Sequence, residues 1–387
     1  MKILFVHLNS DLYGASRALL RLSACLLEKG HEVDIILGSD GPLTERLDAL
    51  GITPIIFTDL AALERANLST PKRMIQLAVN CRRTQRFLTE KIRTLKPDIL
   101  HSNTSILLAN GKAARRTRIP HVWHLRETYE EFPLVWKFYR RIMLRGASRI
   151  LCVSDSVAAQ FRPEEAKRKI TRVHDGLSET EVEPPTADAC QKIRKTHGVP
   201  ADTLTVGVPG RIKCVRKGQE VFVEAAILLA EKYPHVLFLI VGTTYPGNES
   251  HETTLRNRVQ EAGLEEQIRF TGELSSSREI MALLDIVVVP SGVAEPFGYV
   301  TSEAMAAARP VVGTNIGGTR EIVADQQTGL LFDPGNTSQL VTHLETLMND
   351  PALRKSMGAA GRKRFEKHFT MEQTCEQILS CYTSLPS

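Results

Sequence analysis

Residues 295–303 read Glu295-Pro-Phe-Gly-Tyr-Val-Thr-Ser-Glu303. Four β-branched residues precede this stretch at Ile286–Val289, the pattern of a short buried strand. Helical spacing follows it over residues 300–308, so the stretch is a strand-to-helix junction. Its two glutamates lie eight residues apart, one in the loop and one about two turns into the predicted helix. They therefore address different ends of one ligand. Gly298 permits a ligand to come close to the backbone. The free N–H groups of residues 297–300 and the helix dipole suit a phosphate. The carboxylates suit sugar hydroxyls. Spacing alone leaves a plainer reading open, in which Glu295 is a solvated loop charge and Glu303 steadies a helical turn.

The same strand-and-helix alternation runs in both directions from this junction. Strands are predicted at 204–208, 236–241, 268–271, 286–289, 310–312 and 329–332, with helices at 218–232, 275–284, 300–308 and 338–348. The first half repeats the rhythm, with strands at 3–8, 33–37, 54–57, 98–101, 121–125 and 149–153 and helices at 15–29 and 72–95. Such alternation implies parallel strands joined by right-handed crossovers. The fold class is therefore α/β, with two doubly wound Rossmann-like domains. A first domain at 1–180, a polar Pro-containing linker at 181–202, a second domain at 203–365 and a final helical segment at 366–387 make up the 387 residues. Ligands of such sheets bind at strand carboxyl ends. With two domains facing each other, the cleft between them is the expected site.

Composition narrows the class without choosing an activity. Hydrophobic residues make up 42% and charged residues 24%, and no run approaches the roughly 20 apolar residues that span a bilayer. The apolar start at 3–6 ends at His7 with no small-residue cleavage pattern, so it reads as a first buried strand. Seven scattered cysteines without a Cys-x-x-Cys pair argue against a disulfide framework or a zinc site, and a reducing cytoplasm is the simplest home. Residues 1–180 carry 29 Lys and Arg against 19 Asp and Glu, whereas the remainder carries 20 against 25. A basic first half suggests an anionic partner. Two of its stretches, 72–96 and 136–145, mix cations with apolar or aromatic residues. These read either as ordinary amphipathic helices or as a peripheral contact with an anionic membrane at its inner face. No nucleic-acid reader motif accompanies the charge.

The second constellation is Gly210-Arg211-Ile-Lys-Cys-Val-Arg-Lys217-Gly218, directly after the predicted strand 204–208. A departing diphosphate gains negative charge, which fixed cations stabilise more in the transition state than in the ground state. There is no Asp-x-Asp and no clustered His/Cys set, so no metal is expected.

Residues 295–335 resemble the donor-binding region of retaining GT-B glycosyltransferases of family 4. The likeness rests on the glutamate pair, Pro310-Val-Val, Gly317-Gly318, Glu321-Ile-Val and Thr328-Gly329-Leu-Leu. Ala308 and Gln326 depart from it, standing where the family often has glycine. The resemblance implies a nucleotide diphosphate sugar, UDP- or GDP-linked, as co-substrate, with no other cofactor. Glu295 would hold hydroxyls of the sugar and Glu303 those of the ribose, while backbone amides of Phe297, Gly298, Tyr299 and Val300, beside Pro296, would contact sugar and diphosphate. Arg211 and Lys217, after Gly210, would bind the phosphates, and the segment ending at Leu274 would meet the base. In the first domain Gly14 would admit donor phosphate or acceptor, and Tyr13 replaces a glycine usual in the family. His124 would lie near the donor sugar, with His7, His101 and His121 as rivals, and Asn103, Thr104 and Arg126 could face the acceptor. His124, Arg211, Lys217 and Glu295 are thus the catalytic candidates. The implied reaction is retaining transfer to a hydroxyl of a glycan or lipid-linked acceptor in bacterial surface polysaccharide or glycolipid synthesis. A front-face displacement fits, with the leaving phosphate helping to deprotonate the acceptor. Alternatives on the same architecture are a sugar-nucleotide epimerase, a phosphorylase, or an idle partner that only binds a sugar nucleotide.

Overall fold

The apolar runs become parallel strands in two separate sheets. The computed structural model describes residues 1–387 except 65, 66, 68, 130–132, 246, 275 and 386–387. The chain divides into two compact units, residues 1–176 with 371–387, and residues 177–370.

The first unit opens with β1 (Lys2–His7), α1 (Gly14–Glu28), β2 (Glu32–Leu37), α2 (Pro42–Asp48), β3 (Ile55–Ile56) and α3 (Pro71–Leu95). It continues through β4 (Ile99–Ser102), α4 (Asn110–Thr117), β5 (His121–Leu125), α5 (Pro133–Gly146) and β6 (Arg149–Cys152). Two short helices, α6 (Asp155–Ala158) and α7 (Pro163–Lys169), lead to β7 (Ile170–Arg172). Its sheet has the order β3-β2-β1-β4-β5-β6-β7. Every paired strand in it is parallel, and the winding reverses between β1 and β4, where Ile3 faces Ile99 and Val6 faces Ser102.

The second unit holds α8 (Ala187–Thr196), β8 (Leu204–Pro209), α9 (Gln219–Ala230), β9 (Val236–Val241), α10 (Glu249–Glu261), β10 (Ile268–Gly272) and α11 (Ser277–Leu283). After these come β11 (Ile286–Val289), α12 (Tyr299–Ala306), β12 (Val311–Thr314), α13 (Gly317–Ile322), β13 (Gly329–Phe332), α14 (Thr337–Asn349) and α15 (Pro351–His368). The order is β10-β9-β8-β11-β12-β13, again parallel throughout. Here the reversal falls between β8 and β11.

Burial explains the pattern. Strands covered by helices on both faces read as continuous apolar runs, and β9, Val-Leu-Phe-Leu-Ile-Val, is buried at all six positions. Leu19, Leu22 and Leu26 of α1 pack on Ile3, Phe5 and Ile35. Each such leucine contributes about 2 kcal/mol on burial. The last helix, α16 (Met371–Thr383), joins the same cluster through Met371, Cys375, Ile378 and Tyr382, which places it in the first unit.

Two local differences from the sequence reading have physical causes. β7 was not anticipated, because Ile-Thr-Arg is too short and polar to show a strand period. The stretch 181–202 is not only connection: α8 lies within it, capped by Thr186, whose side chain accepts from the Ala189 amide at 3.3 Å. The one buried residue of α8 is Arg194, tied to Asp285 at 2.7 Å and to the Thr205 hydroxyl at 3.0 Å, so the helix has no apolar stripe for a pattern search to find. The predicted helix at 275–284 appears as α11, and its expected first residue, Ser275, lies outside the described residues.

Candidate functional site

In the second unit, glycines shape two loops at the carboxyl ends of the adjacent strands β8 and β11. After β8 the chain turns at Gly210 (φ 126°) and reaches Gly218 (φ 69°), which caps α9. A Cβ on Gly218 would stand 1.8 Å from the Pro290 carbonyl oxygen, so only glycine lets the basic loop lie against the segment after β11. Buried Gln219 braces that loop. Its side chain accepts from the Lys213 amide at 3.2 Å and donates to the Arg211 carbonyl at 2.9 Å. The Arg211 guanidinium lies over the Tyr245 ring, 4.9 Å from its centre.

After β11, the segment 290–298 leads to Gly298 (φ 105°), which caps α12. Gly318 N–H donates to the Glu295 carbonyl at 2.8 Å. A Cβ on Gly318 would lie 1.5 Å from the Phe297 carbonyl oxygen, so this glycine is required by the approach of α13 to the loop. Lys217 and Glu295 meet: Lys217 Nζ donates to Glu295 Oε1 at 2.7 Å, and the buried Ser291 hydroxyl donates to the same oxygen at 2.5 Å. Burial opposes ionisation of Glu295, but Lys217, Ser291 and the charge of Arg216 outweigh it and hold the carboxyl below its usual range. Phe297 is buried, with its ring 5.2 Å from that of Tyr299 and 6.3 Å from that of Phe369. Pro296, Tyr299, Val300 and Glu303 are half-buried. Glu303 lies one turn into α12, since the helix begins at Tyr299. Leu274, half-buried, follows β10.

The first unit gathers its candidates at the carboxyl ends of β1, β4 and β5. Gly14 begins α1, and Asp11 ties the preceding loop by accepting from the Tyr13 amide at 3.0 Å and the Ser16 hydroxyl at 2.7 Å. Four histidines are buried here: His7, His101, His121 and His124. Burial, first of all, pushes each below its ordinary value, to about 4 for His7 and His121. Their partners separate them. His7 lies between Ser16 at 3.0 Å and the Asn103 amide at 3.3 Å. His121 lies between Ser102 at 2.7 Å and the Gly146 carbonyl at 2.9 Å. His101 meets the Tyr382 hydroxyl through Nδ1 at 2.5 Å, and His124 meets Arg126 through Nδ1 at 3.2 Å. Nε2 of His101 and of His124 has no hydrogen-bond partner among the described residues. The ring centres of these two are 5.5 Å apart.

Asn103 and Thr104 are buried after β4, and the Asn103 side chain donates to the Ala15 carbonyl at 2.9 Å. Arg126 is turned inward, with its side chain only 7% exposed against Asp175. Sequence reading missed Ser291, Gln219 and Asp175, which carry no motif signal and matter only through the strand order that brings them to their partners. Among the described residues, no group of three or more His, Cys, Asp or Glu is arranged to hold a metal ion. No helix among them is long and apolar enough to cross a membrane.

Comparisons with known proteins divide the chain in the same way. Residues 13–180 match the family described as Glycosyltransferase Family 4, and residues 190–364 match Glycosyl transferases group 1. The lipopolysaccharide core biosynthesis mannosyltransferase LpsB of Rhizobium meliloti is 28% identical over 322 residues, covering 78% of this chain and 91% of that protein. The D-inositol 3-phosphate glycosyltransferase of Corynebacterium urealyticum is 30% identical over 225 residues, 57% of this chain. The match spans about half of that relative, 52% of its length. Among solved structures, Anabaena HepE covers the whole of both chains with a TM-score of 0.82 at 24% identity. A glycosyltransferase from Rickettsia africae covers 99% of this chain and 97% of its own, with a TM-score of 0.85 at 22% identity. At these identities the likeness establishes the fold. With its two halves matched in turn by two glycosyltransferase families and its fold shared along the full length, the chain belongs to the GT-B glycosyltransferases of family 4, the group 1 type.

Proposed function

We propose that this glycosyltransferase takes a sugar from a UDP- or GDP-linked donor and passes it, with retained anomeric configuration and without a metal, to a hydroxyl of a glycan or lipid-linked acceptor. The observation that carries this reading is the meeting of Lys217 with Glu295 at 2.7 Å. Two constellations from opposite ends of a long sequence interval come together at the carboxyl ends of β8 and β11, the reversal point of the second sheet. That is where doubly wound sheets bind ligands. In this proposal Arg211 and Lys217 grip the diphosphate, Arg211 as a planar fork and Lys217 as a point charge. Their charge favours the transition state, in which the leaving diphosphate becomes more anionic. The lowered pKa of Glu295 keeps it a carboxylate able to accept from sugar hydroxyls. The amides of residues 297–300, at the start of α12, face phosphate and sugar oxygens, and Glu303 accepts from the ribose. Leu274 and its neighbours meet the base. The same proposal assigns His124 to the transferred sugar, Gly14 to the donor phosphates or the acceptor, and Asn103 and Thr104 to the acceptor.

Similar proteins support this reading. HepE was crystallised with UDP and glucose, with UDP and with UDP-glucose, and LpsB is a mannosyltransferase of lipopolysaccharide core synthesis. Synthesis of a bacterial surface glycan at the inner face of the membrane fits such company. Met74 and Ile75 of α3 and Leu134 and Phe138 of α5 are exposed beside Arg73, Lys137 and Arg141, a composition suited to anionic lipid.

The test is turnover on a panel of UDP- and GDP-sugars in the presence of a chelator, with membrane and glycan fractions as acceptors. One donor is expected to release its diphosphate slowly in water and at least tenfold faster with acceptor, giving a product with the donor's anomeric configuration by NMR. An inverted product would overturn retention. Conversion of the donor sugar without diphosphate release would point to an epimerase instead.

A further inference from the structure

The surroundings of His124 make Arg126 more than a cation at a strand end. Arg126 directly follows β5, two residues after His124, and uses three of its nitrogens inward. Nη1 pairs with Asp175, Nε donates to the Asn103 carbonyl at 3.3 Å, and Nη2 donates to His124 Nδ1 at 3.2 Å. The Arg126 and Asp175 side chains are 7% and 4% exposed. A buried pair of this kind is held in place, because removing either member strands a charge away from water. A guanidinium has five N–H donors, no acceptor, and does not deprotonate in proteins. The nitrogen it meets on His124 must therefore be the unprotonated one. In a neutral imidazole the single proton then sits on Nε2. That nitrogen is buried and has no hydrogen-bond partner among the described residues. Burial and the neighbouring guanidinium both disfavour a second proton on the ring.

We propose that Arg126, anchored by Asp175, is a positioning residue that holds His124 in its Nε2–H tautomer, so that His124 offers a hydrogen-bond donor to an oxygen of the transferred sugar and is not the base of the reaction. The part played by the sugar rests on the function proposed above; the tautomer does not. With the Nδ1 lone pair engaged by Arg126 and the Nε2 position already protonated, the ring has no accessible site from which to take the acceptor's proton. The deprotonation must fall to another group, and the leaving phosphate is the anion the proposed donor supplies. An Nε2–H aimed at a sugar hydroxyl would hold the sugar in position while the bond to phosphate lengthens. Lysine at position 126 would keep the charge but offer no planar fork that reaches Asp175, Asn103 and His124 at once, so it should restore the effect only in part.

The experiment is a long-range proton–nitrogen correlation spectrum of the full chain labelled with ¹⁵N-histidine, without ligand, with the His124 signals assigned from their loss in His124→Asn. The expected spectrum has His124 Nε2 protonated and Nδ1 unprotonated. Arg126→Met is expected to shift His124 toward a mixture of tautomers and to lower kcat at least tenfold with less change in donor KM, and Arg126→Lys is expected to recover part of both. A wild-type ring protonated on Nδ1, or an Arg126→Met ring that keeps the pure Nε2–H form, would overturn the assignment. A wild-type ring protonated on Nδ1 overturns the assignment whatever the variants do, and where Arg126→Met fails to fold the same comparison is read from Arg126→Lys. Absence of donor turnover with the expected tautomer present would instead overturn the proposed function and leave the tautomer assignment standing.

Discussion

Glu303 and His124 make opposite demands on a measurement. Glu303 is half-buried one turn into α12 and is proposed to accept from the nucleotide ribose. A hydrogen bond to a charged group contributes about 1.5–3 kcal/mol, so Glu303→Ala should weaken donor binding roughly 10- to 100-fold. Calorimetric titration measures this directly. His124→Ala should instead leave donor binding within about threefold and lower kcat by about 100-fold, the scale on which a lost positioning contact slows a reaction. Unchanged kcat in His124→Ala would remove it from the reaction. Side-chain types at this scale were legible in the sequence, because the glutamate pair and the basic loop sit at glycine-marked strand ends. Their pairing was not. The Lys217–Glu295 contact at 2.7 Å exists because β8 neighbours β11, and hydrophobic periodicity carries no strand order. The same limit hid Asp175 as the partner of Arg126.

Two departures from the family pattern acquire a physical meaning at the turns that lead into the strands. Ala308, at the turn into β12, has φ 55°, and Gln326, before β13, has φ 60°. Both positions hold the left-handed backbone that glycine adopts without penalty, whereas a residue with a Cβ pays about 1–2 kcal/mol. Ala308→Gly and Gln326→Gly should each stabilise the second unit by about 1 kcal/mol, read as a raised midpoint in urea unfolding with an unchanged slope. A lowered midpoint would show that packing of the side chain outweighs the backbone strain. Gly318→Ala should do the reverse, since its Cβ would stand 1.5 Å from the Phe297 carbonyl oxygen and force α13 away from the loop that carries Glu295. A loss of about 3 kcal/mol is expected, the upper end of the usual cost of overpacking a tight core. The strands were legible because both faces of each sheet are covered, which turns them into apolar runs. α8 was not, because Arg194 and a network of hydrogen bonds hold it in place of an apolar stripe.

Across the first unit the four buried histidines act together. Their folded-state pKa values lie below the unfolded value near 6.5, so unfolding takes up protons as the pH falls through that value. Their contribution to stability is therefore fully present above about pH 6.5 and is lost progressively toward pH 4, where His7 and His121 also protonate in the folded chain. Each contributes up to about 1.4 kcal/mol per pH unit, so the four together give a slope of up to about 5 kcal/mol per unit. Burial of Glu127 raises its pKa and works in the opposite direction, one group against four. Urea midpoints between pH 7.5 and 5 should fall steeply. A flat profile would mean that these rings are already protonated or exposed in the folded chain.

The α/β class and the two doubly wound domains were also legible at this scale. The central claim is that the loops after β8 and β11 bind a nucleoside diphosphate. Calorimetric titration of the purified chain with UDP and with GDP, beside an Arg211→Ala/Lys217→Ala chain of the same fold by circular dichroism, tests it most directly. The account predicts binding of one of the two nucleotides by the wild type and at least 100-fold weaker binding by the double variant. No binding of either nucleotide, or equal binding by the double variant, would contradict it.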